Sequence, residues 1–321
     1  MAADHWFLSI DGGGTKTDAL LFHAEEFEGF RITGEGTNPN VYGESGIEAL
    51  ADLIFEAAKA ASIQAGVVSG CVVGMAGISN PRYRTQIEDR LSETLPRATL
   101  KLTSDAELAH RNIWGNARGM TLIVGTGSIA LGTDSRGNIR RSGGFGFQAG
   151  DEGSGYWLGK MLLAELIASE RSTVDDILEL RDQVVEIAGR KTFEDAVAFF
   201  SGVLESVARV AELGPIVLSF AEKRNLVASQ IVSQGAEALA SLIEDLWEKL
   251  ELTGSETEIG ISGSIIVESA FYRDVLKNQL PVELDSLRWV KSDFPPVYGG
   301  LLLSDLHISP EDYPRITIQH V

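Results

Sequence analysis

Short apolar runs separated by glycine-rich or polar turns open the chain. Residues 6–10 and 18–23 flank a glycine loop at 11–17, and a third apolar run follows at 30–33. Runs of this length with short connections are typical of antiparallel strands. The pattern therefore predicts a three-stranded meander with the glycine loop between its first two strands.

The same pattern begins again near the middle of the chain. Strands are predicted at 119–124, 129–133 and 139–142, and the loop Gly125-Thr126-Gly127-Ser128 joins the first two. A pattern that starts twice predicts two related lobes facing each other across a cleft. Such clefts commonly bind ligands.

Helices and strands alternate after the first meander. Apolar residues in the helix predicted at 47–64 recur at the spacing of a helix face that packs on a core. The remaining elements of this half are strands at 70–74 and 101–103 and helices from Pro81 and Ala106. We therefore expect an α/β lobe over residues 1–118.

The second half is predominantly helical from residue 156 to residue 250. Strands are predicted at 258–262 and 287–290, and a last helix begins near Val297. Residues 119–321 are expected to form a larger, helix-rich lobe whose final helix can pack back on the first lobe. Residues 310–321 are predicted to be a loosely held tail.

Composition limits the classes of partner. The 321 residues are 44% hydrophobic, which suits two globular domains. A net charge of −19 disfavours binding to nucleic acid or anionic membranes, so we expect a small-molecule partner. The chain begins without a recognisable signal peptide, and we expect a cytoplasmic protein. Cys71 is the only cysteine, which excludes an intrachain disulfide and a thiolate zinc site.

The two glycine loops are candidate phosphate-binding elements. In the first, Gly12, Gly13 and Gly14 precede Thr15 and Lys16, and glycines allow backbone N–H groups to approach an anion. Its spacing does not match a P-loop. The second loop fits the spacing of a dinucleotide fingerprint, but a strand instead of a helix is predicted after it, which disfavours a nicotinamide-dependent dehydrogenase.

An ordered set of motifs resembles the N-acetylglucosamine kinases of the BadF/BadG/BcrA/BcrD-type ATPase family. The motifs are residues 11–17, Ser104-Asp105-Ala106, residues 125–128, and the glycine-rich stretch from 143 to 154. The resemblance covers nearly the whole chain and is strongest up to about residue 160. It implies a two-lobed actin-like (ribonuclease H-like) fold made of duplicated βββαβαβα units, ATP and Mg²⁺ as cofactors, and an amino-sugar substrate.

The resemblance also implies roles for single residues. Asp105 would be the catalytic base for the sugar 6-hydroxyl, and Asp11 would hold Mg²⁺, through water. Local sequence leaves two alternatives open: Asp105 as a helix N-cap and Asp11 as a turn residue. The two loops would bind the ATP phosphates, with Gly263 and Ser264 beside the adenosine. Helix capping by a serine of Ser262-Gly263-Ser264 is an alternative.

The same resemblance assigns the sugar to Asn38, Gly144, Phe145 and Asp151. Phe145 replaces the tryptophan that is usual in N-acetylglucosamine kinases. Asn225, after Arg224, stands where the family usually has an aspartate in its helical lobe. Glucosamine and N-acetylglucosamine both remain candidate substrates, and a homodimer is allowed. The alternative functions are a BadF-type ATPase without kinase activity and a nucleotide-sensing actin-like protein.

Overall fold

The computed structural model describes residues 5–201, 206–251, 258–281, 284, 286–304, 306 and 308–320. The strands along the chain are β1 (Trp6–Gly12), β2 (Lys16–His23), β3 (Glu28–Glu35), β4 (Gly70–Met75), β5 (Thr99–Thr103), β6 (Met120–Val124), β7 (Ser128–Thr133), β8 (Ile139–Gly143), β9 (Glu258–Ser262), β10 (Arg288–Val290) and β11 (Thr317–His320).

The α-helices are α1 (Pro39–Tyr42), α2 (Glu44–Ala60), α3 (Pro81–Thr94), α4 (Asp105–Trp114), α5 (Gly155–Ala168), α6 (Asp175–Ile187), α7 (Phe193–Phe200), α8 (Ser206–Ala211), α9 (Gly214–Glu222), α10 (Leu226–Lys249), α11 (Ser264–Glu268), α12 (Ala270–Lys277) and α13 (Gly299–Leu302). Short 3-10 helices cover Ala65–Val67, Pro296–Tyr298 and Pro310–Arg315.

Two compact units make up the chain: Met1–Ala117 with Ser292–Val321, and Arg118–Lys291. Sequence reasoning grouped the C-terminal segment with the second lobe, and the division differs there. The reason is that β11 pairs with β3 and α13 packs against α4 and β1, all of which belong to the first unit.

The predicted duplication is confirmed by the sheets. Strand order in the first unit is β11-β3-β2-β1-β4-β5, and in the second it is β10-β9-β6-β7-β8. Each sheet has an antiparallel meander, β1-β2-β3 or β6-β7-β8. The first strand of each meander also pairs in parallel with the strand that follows the meander in the chain, which is β4 in the first sheet and β9 in the second. The two sheets therefore share one order, and β11 is an addition to the first.

The first sheet is covered on both faces. Leu8 and Ile10 pack with α2 and α3 in one cluster, whereas Leu20 and Phe22 pack with Tyr298 on the other side. This division follows from the alternation of side chains along a strand. The carboxylates described below lie on the second face, where α4 and α13 are packed.

Helices α5 and α10 contribute many of the buried residues in the second unit. Within the described residues, α10 alone is long and apolar enough to cross a membrane by composition. Its Ile231, Leu239 and Ile243 side chains are buried in the core of this unit. That burial accounts for its apolar character as a core helix.

The prediction of a loosely held C-terminal tail is wrong. Tyr313 is fully buried, and its hydroxyl donates to the Tyr298 carbonyl at 3.1 Å. Strand β11 extends the first sheet by pairing in parallel with β3. Sequence reasoning missed this because a short strand at a sheet edge gains its partner only in the folded chain.

Candidate active site

The carboxyl ends of three parallel strands bring two predicted site residues together. Asp11 on β1 is in register with Gly74 on β4, which is in register with Thr103 on β5. Helix α4 begins two residues later, at Asp105. Parallel strands end at the same sheet edge, where α/β folds place ligands. Asp105 is close enough to Asp11 for its charge to raise the pKa of that carboxyl.

Asp11 is part of a strand, and the turn-residue alternative is wrong. Its pKa is raised from 3.8 to about 8, first by burial and then by the charges of Asp105 and Asp18. Lys16 and Arg31 oppose this effect. The Asp11 carboxyl therefore holds a proton at neutral pH in the metal-free protein, and a nearby cation would favour its ionised form.

Asp105 is the first residue of α4, and its N-cap alternative is also wrong. The cap is Ser104, whose hydroxyl accepts from the Glu107 backbone N–H at 3.1 Å. Helix α4 thus has its capping hydrogen bond without using the Asp105 carboxylate. That carboxylate lies in the first turn, where the helix dipole favours the negative charge.

Sequence reasoning missed Asp18, which lies opposite Asp11 on β2. Its carboxylate accepts hydrogen bonds from Thr33 at 2.5 Å, Arg31 at 3.1 Å and Lys16 at 3.3 Å. Burial acts to raise the pKa of Asp18, but Thr33 and Arg31 outweigh it and the pKa is lowered. An aspartate inside an otherwise apolar strand was the signal that could have indicated this residue.

The hairpin from Gly12 to Lys16 is fixed by the segment that contains Asn38. The Gly13 N–H donates to the Lys16 carbonyl at 3.0 Å, and the Gly13 carbonyl accepts from the Asn38 N–H at 3.1 Å. The Tyr42 hydroxyl donates to the Gly14 carbonyl at 2.9 Å. Thr15 and Lys16, at the tip, are exposed. The first unit therefore brings the predicted phosphate hairpin and the predicted sugar-binding asparagine together.

Asn38 also has the structural role that its sequence context allowed. Its Oδ1 accepts from the Asn40 N–H at 3.0 Å and caps α1. Gly77, at φ +84°, lies directly against it: a Cβ there would be 2.8 Å from the same oxygen. The amide of Asn38 is consequently held in one orientation beside the hairpin.

In the second unit the loop from Gly125 to Ser128 connects β6 to β7. The Gly125 N–H donates to the Gly127 carbonyl at 2.9 Å, and the Ser128 N–H donates to the Asp151 carboxylate at 3.3 Å. A Cβ on Gly127 would lie 2.8 Å from Asp151 Oδ2. Asp151 is thus brought against this loop, as Asn38 is against the first. A strand follows the loop, so the dinucleotide fingerprint lacks its helix and is excluded.

The glycine-rich stretch after β8 holds Phe145 outward. Gly143, Gly144 and Gly146 all have positive φ angles, and Phe145 is 68% exposed. Asp151 itself adopts φ +64°. Burial is the largest cause of the raised pKa of its carboxyl.

The predicted adenosine residues lie beside the same loop. Gly263, at φ +90°, would place a Cβ 2.5 Å from the Val124 backbone, and its Cα is 3.8 Å from the Cβ position of Gly125. Ser264 starts α11, but the N-cap residue is Gly263 and no side chain caps the helix. The alternative that a serine of this segment caps the helix is therefore wrong.

Asn225 serves as a helix cap in this chain. Its buried side chain accepts from the Ala228 N–H at 3.0 Å and donates to the Asp176 carbonyl at 2.8 Å. Arg224 precedes it with φ +68°. These hydrogen bonds join the starts of α6 and α10.

A family model for the BadF/BadG/BcrA/BcrD ATPase family matches residues 8–304. The chain belongs to this family. The family match spans both glycine loops, Asp11 and Asp105, and it implies the use of ATP.

Relatives of this ATPase-family chain extend over almost its full length. It is 25% identical over 303 residues to the N-acetylmuramic acid/N-acetylglucosamine kinase of Clostridium acetobutylicum, covering 93% of this chain and 98% of that protein. It is also 25% identical over 310 residues to the N-acetyl-D-glucosamine kinase of Dictyostelium discoideum, covering 93% and 97%.

Solved structures identify the fold of this ATPase-family member. A structure from Chromobacterium violaceum, named as a suggested N-acetylglucosamine kinase, matches with a TM-score of 0.71 at 22% identity. The match covers 94% of this chain and all of that one. The predicted α/β, two-lobed actin-like fold is therefore confirmed.

The described residues contain no group of three or more His, Cys, Asp or Glu side chains suited to hold a metal ion. Mg²⁺ needs no such group, because it commonly binds through one or two carboxylates and keeps several waters. Asp11 fits this mode, because it is a carboxylate at the sheet edge near Asp105 and directly before the glycine hairpin.

Proposed function

We propose that this protein is an ATP-dependent sugar kinase that phosphorylates the 6-hydroxyl of an amino sugar, N-acetylglucosamine or glucosamine. The observation that carries the proposal is the meeting of Asp11 and Asp105 at one sheet edge, beside a glycine hairpin. Both relatives, which match 93% of the chain, are kinases whose names include N-acetylglucosamine, and one is also named for N-acetylmuramic acid; this supports the substrate class.

Each unit would contribute separate groups. In the first, Asp105 would orient the sugar hydroxyl and accept its proton, while Asp11 would hold hydrated Mg²⁺, which neutralises phosphate charge when bound. Residues 12–16 and 125–128 would donate backbone N–H groups to the ATP phosphates. Gly263 and Ser264 would contact the adenosine.

Amide, carboxylate and aromatic groups would recognise the sugar. Asn38 and Asp151 can exchange hydrogen bonds with its hydroxyls. Gly144, at φ +70° and with its Cβ position 2.4 Å from Ile129, would hold the backbone that presents the Phe145 ring to the sugar. A sugar ring presents apolar faces and polar edges, which suits this combination. The proposal places the enzyme in the cytoplasm with a small-molecule sugar as its partner.

Replacing Asp105 with asparagine tests the proposed base. Asp105→Asn should lower kcat/KM for sugar phosphorylation by about 10²- to 10⁴-fold, because general-base assistance is lost. ATP binding should persist, since the hairpins are unchanged. A coupled assay with glucosamine and N-acetylglucosamine measures the first, and calorimetric titration of ATP measures the second.

Asp89→Asn, at an exposed position of α3, is the matched control and should retain the parent rate. An Asp105→Asn protein with the parent rate would refute the assignment of the base. ATP hydrolysis with no transfer to either sugar would instead favour a family ATPase without kinase activity.

A further inference from the structure

The exposed ring of Phe145 lies next to an arginine of strand β8. The guanidinium carbon of Arg141 is 5.4 Å from the centre of the ring, a cation–π distance. Arg141 is exposed, and β8 is the edge strand of the second sheet. Both residues belong to one unit and are separated by Ser142, Gly143 and Gly144.

The loop fixes Phe145 in this place. Positive φ angles at Gly143, Gly144 and Gly146 shape the turn, and a Cβ on Gly150 would lie 3.3 Å from the Phe145 Cβ. Gly150 directly precedes Asp151, the proposed contact of the sugar hydroxyls. The stacked arginine therefore borders the proposed sugar-recognition loop.

Two other cations share the hollow of about 480 Å³ that Arg141 lines. Arg140 pairs with Asp134 at 3.1 Å, and Lys249 pairs with Asp245 at 2.5 Å. In the part of the chain that the structure describes, Arg141 has the ring as its contact and no carboxylate as its partner. The positive charge of Arg141 is therefore available for an anionic ligand, although the protein as a whole has a net charge of −19.

A guanidinium stacked on an aromatic ring keeps its N–H edge available. That edge matches a carboxylate with two parallel hydrogen bonds, and stacking reduces the side-chain freedom lost on binding. A neutral sugar hydroxyl would gain much less from this group, because it carries no charge.

From these contacts we infer that Arg141, stacked on Phe145, is a specificity residue for an amino sugar that carries a carboxylate substituent. The inference rests on the proposed sugar kinase function and narrows its substrate class to amino sugars that carry a carboxylate. N-acetylmuramate is a suitable probe, because it is N-acetylglucosamine with a carboxylate on an ether-linked side chain.

Arg141→Gln tests the inference through the ratio of kcat/KM for N-acetylmuramate to kcat/KM for N-acetylglucosamine. The ratio should fall about tenfold or more, as expected for the loss of a charge-assisted pair. Arg140→Gln, one residue away and already paired with Asp134, should keep the parent ratio. Arg141→Lys should restore part of it, since lysine keeps the charge without the planar edge.

Calorimetric titration of N-acetylmuramate and of its methyl ester, without ATP, provides a readout independent of catalysis. The parent protein should bind the acid more tightly than the ester, and Arg141→Gln should abolish that difference. Equal binding of acid and ester, or an unchanged ratio in Arg141→Gln, would overturn the inference. A raised KM for ATP in place of the sugar effect would assign Arg141 to nucleotide and also overturn it.

The outcomes separate the inference from the proposed function. Phosphorylation of N-acetylglucosamine without any acid preference leaves the kinase intact and removes the role of Arg141. If neither sugar is phosphorylated, the kinase proposal fails. The titrations then still decide whether Arg141 recognises the carboxylate.

Discussion

Asp11 and Asp18, which lie opposite each other on β1 and β2, differ sharply in their surroundings. Asp18 has Arg31, Thr33 and Lys16 as hydrogen-bond donors, and its pKa is lowered. Asp11 lies across the strand pair from it, and burial with two nearby negative charges raises its pKa to about 8. Different surroundings thus give adjacent carboxyls opposite protonation at neutral pH.

Asp11 should make the stability of the metal-free protein depend on pH. Between pH 3.8 and about pH 8 the folded protein holds a proton on Asp11 that the unfolded chain has released. Its contribution to the free energy of unfolding therefore falls as pH rises through this window and is constant above it. Asp11→Asn removes the ionisable group, so its melting temperature should rise relative to the parent as pH increases from 5 to 8.

Thermal melting in buffer with a chelator measures this difference. Asp52→Asn, at an exposed site on α2, should stay parallel to the parent over the same range. A constant difference between Asp11→Asn and the parent at every pH would contradict the raised pKa.

At the scale of elements, two glycines fix the position of α4. A Cβ on Gly74 would be 2.3 Å from the Leu108 side chain, and a Cβ on Gly299 would be 2.0 Å from the Leu108 carbonyl. Leu108 is fully buried between them. The close approach of β4 and α13 to this helix determines where its first residue, Asp105, lies.

Gly74→Ala and Gly299→Ala should each destabilise the protein by about 1–3 kcal/mol, because the added methyl group overpacks α4. Chemical denaturation at equilibrium measures the change. Gly66→Ala is the matched control: its Cβ would meet only Pro96, at 3.8 Å, and we expect a change within about 0.5 kcal/mol. Equal effects at all three sites would show that close packing on α4 is not the cause.

At the scale of the whole molecule, the first unit is built from two segments that are distant in sequence. Tyr298, Leu301 and Tyr313 of the C-terminal segment cover Leu20 and Phe22 of β2. Residues 118–291 are continuous and have their own core. The last segment of the first unit therefore follows the whole second unit in the sequence.

This arrangement predicts unequal behaviour of fragments. Residues 118–291 should fold alone, whereas residues 1–117 should not, because one face of their sheet would expose its apolar side chains. Joining 292–321 to 1–117 through a flexible Gly/Ser linker should restore cooperative unfolding. Circular dichroism with urea titration compares the three proteins. Cooperative unfolding of 1–117 without the added segment would contradict the prediction.

The elements that depend on local pattern could be predicted from the sequence. The two meanders, the glycine loops and the strand after Gly127 all follow from alternation and turn residues, which act over a few positions. The order of motifs also identified the family and marked Asp11 and Asp105 as candidate site residues. These predictions needed no knowledge of which distant segments meet.

Only the tertiary structure decided what depends on distant contacts. The position of α4 showed that Ser104, and not Asp105, caps the helix. The register of β1 and β2 showed that Asp18 lies opposite Asp11. The pairing of β11 with β3 likewise required the folded sheet. The sequence by itself determined the secondary-structure elements and the candidate chemistry, because these depend on residues that are near one another in the chain. Packing decided the environment of each carboxyl, because its burial and the charges around it come from residues that are far apart in the chain.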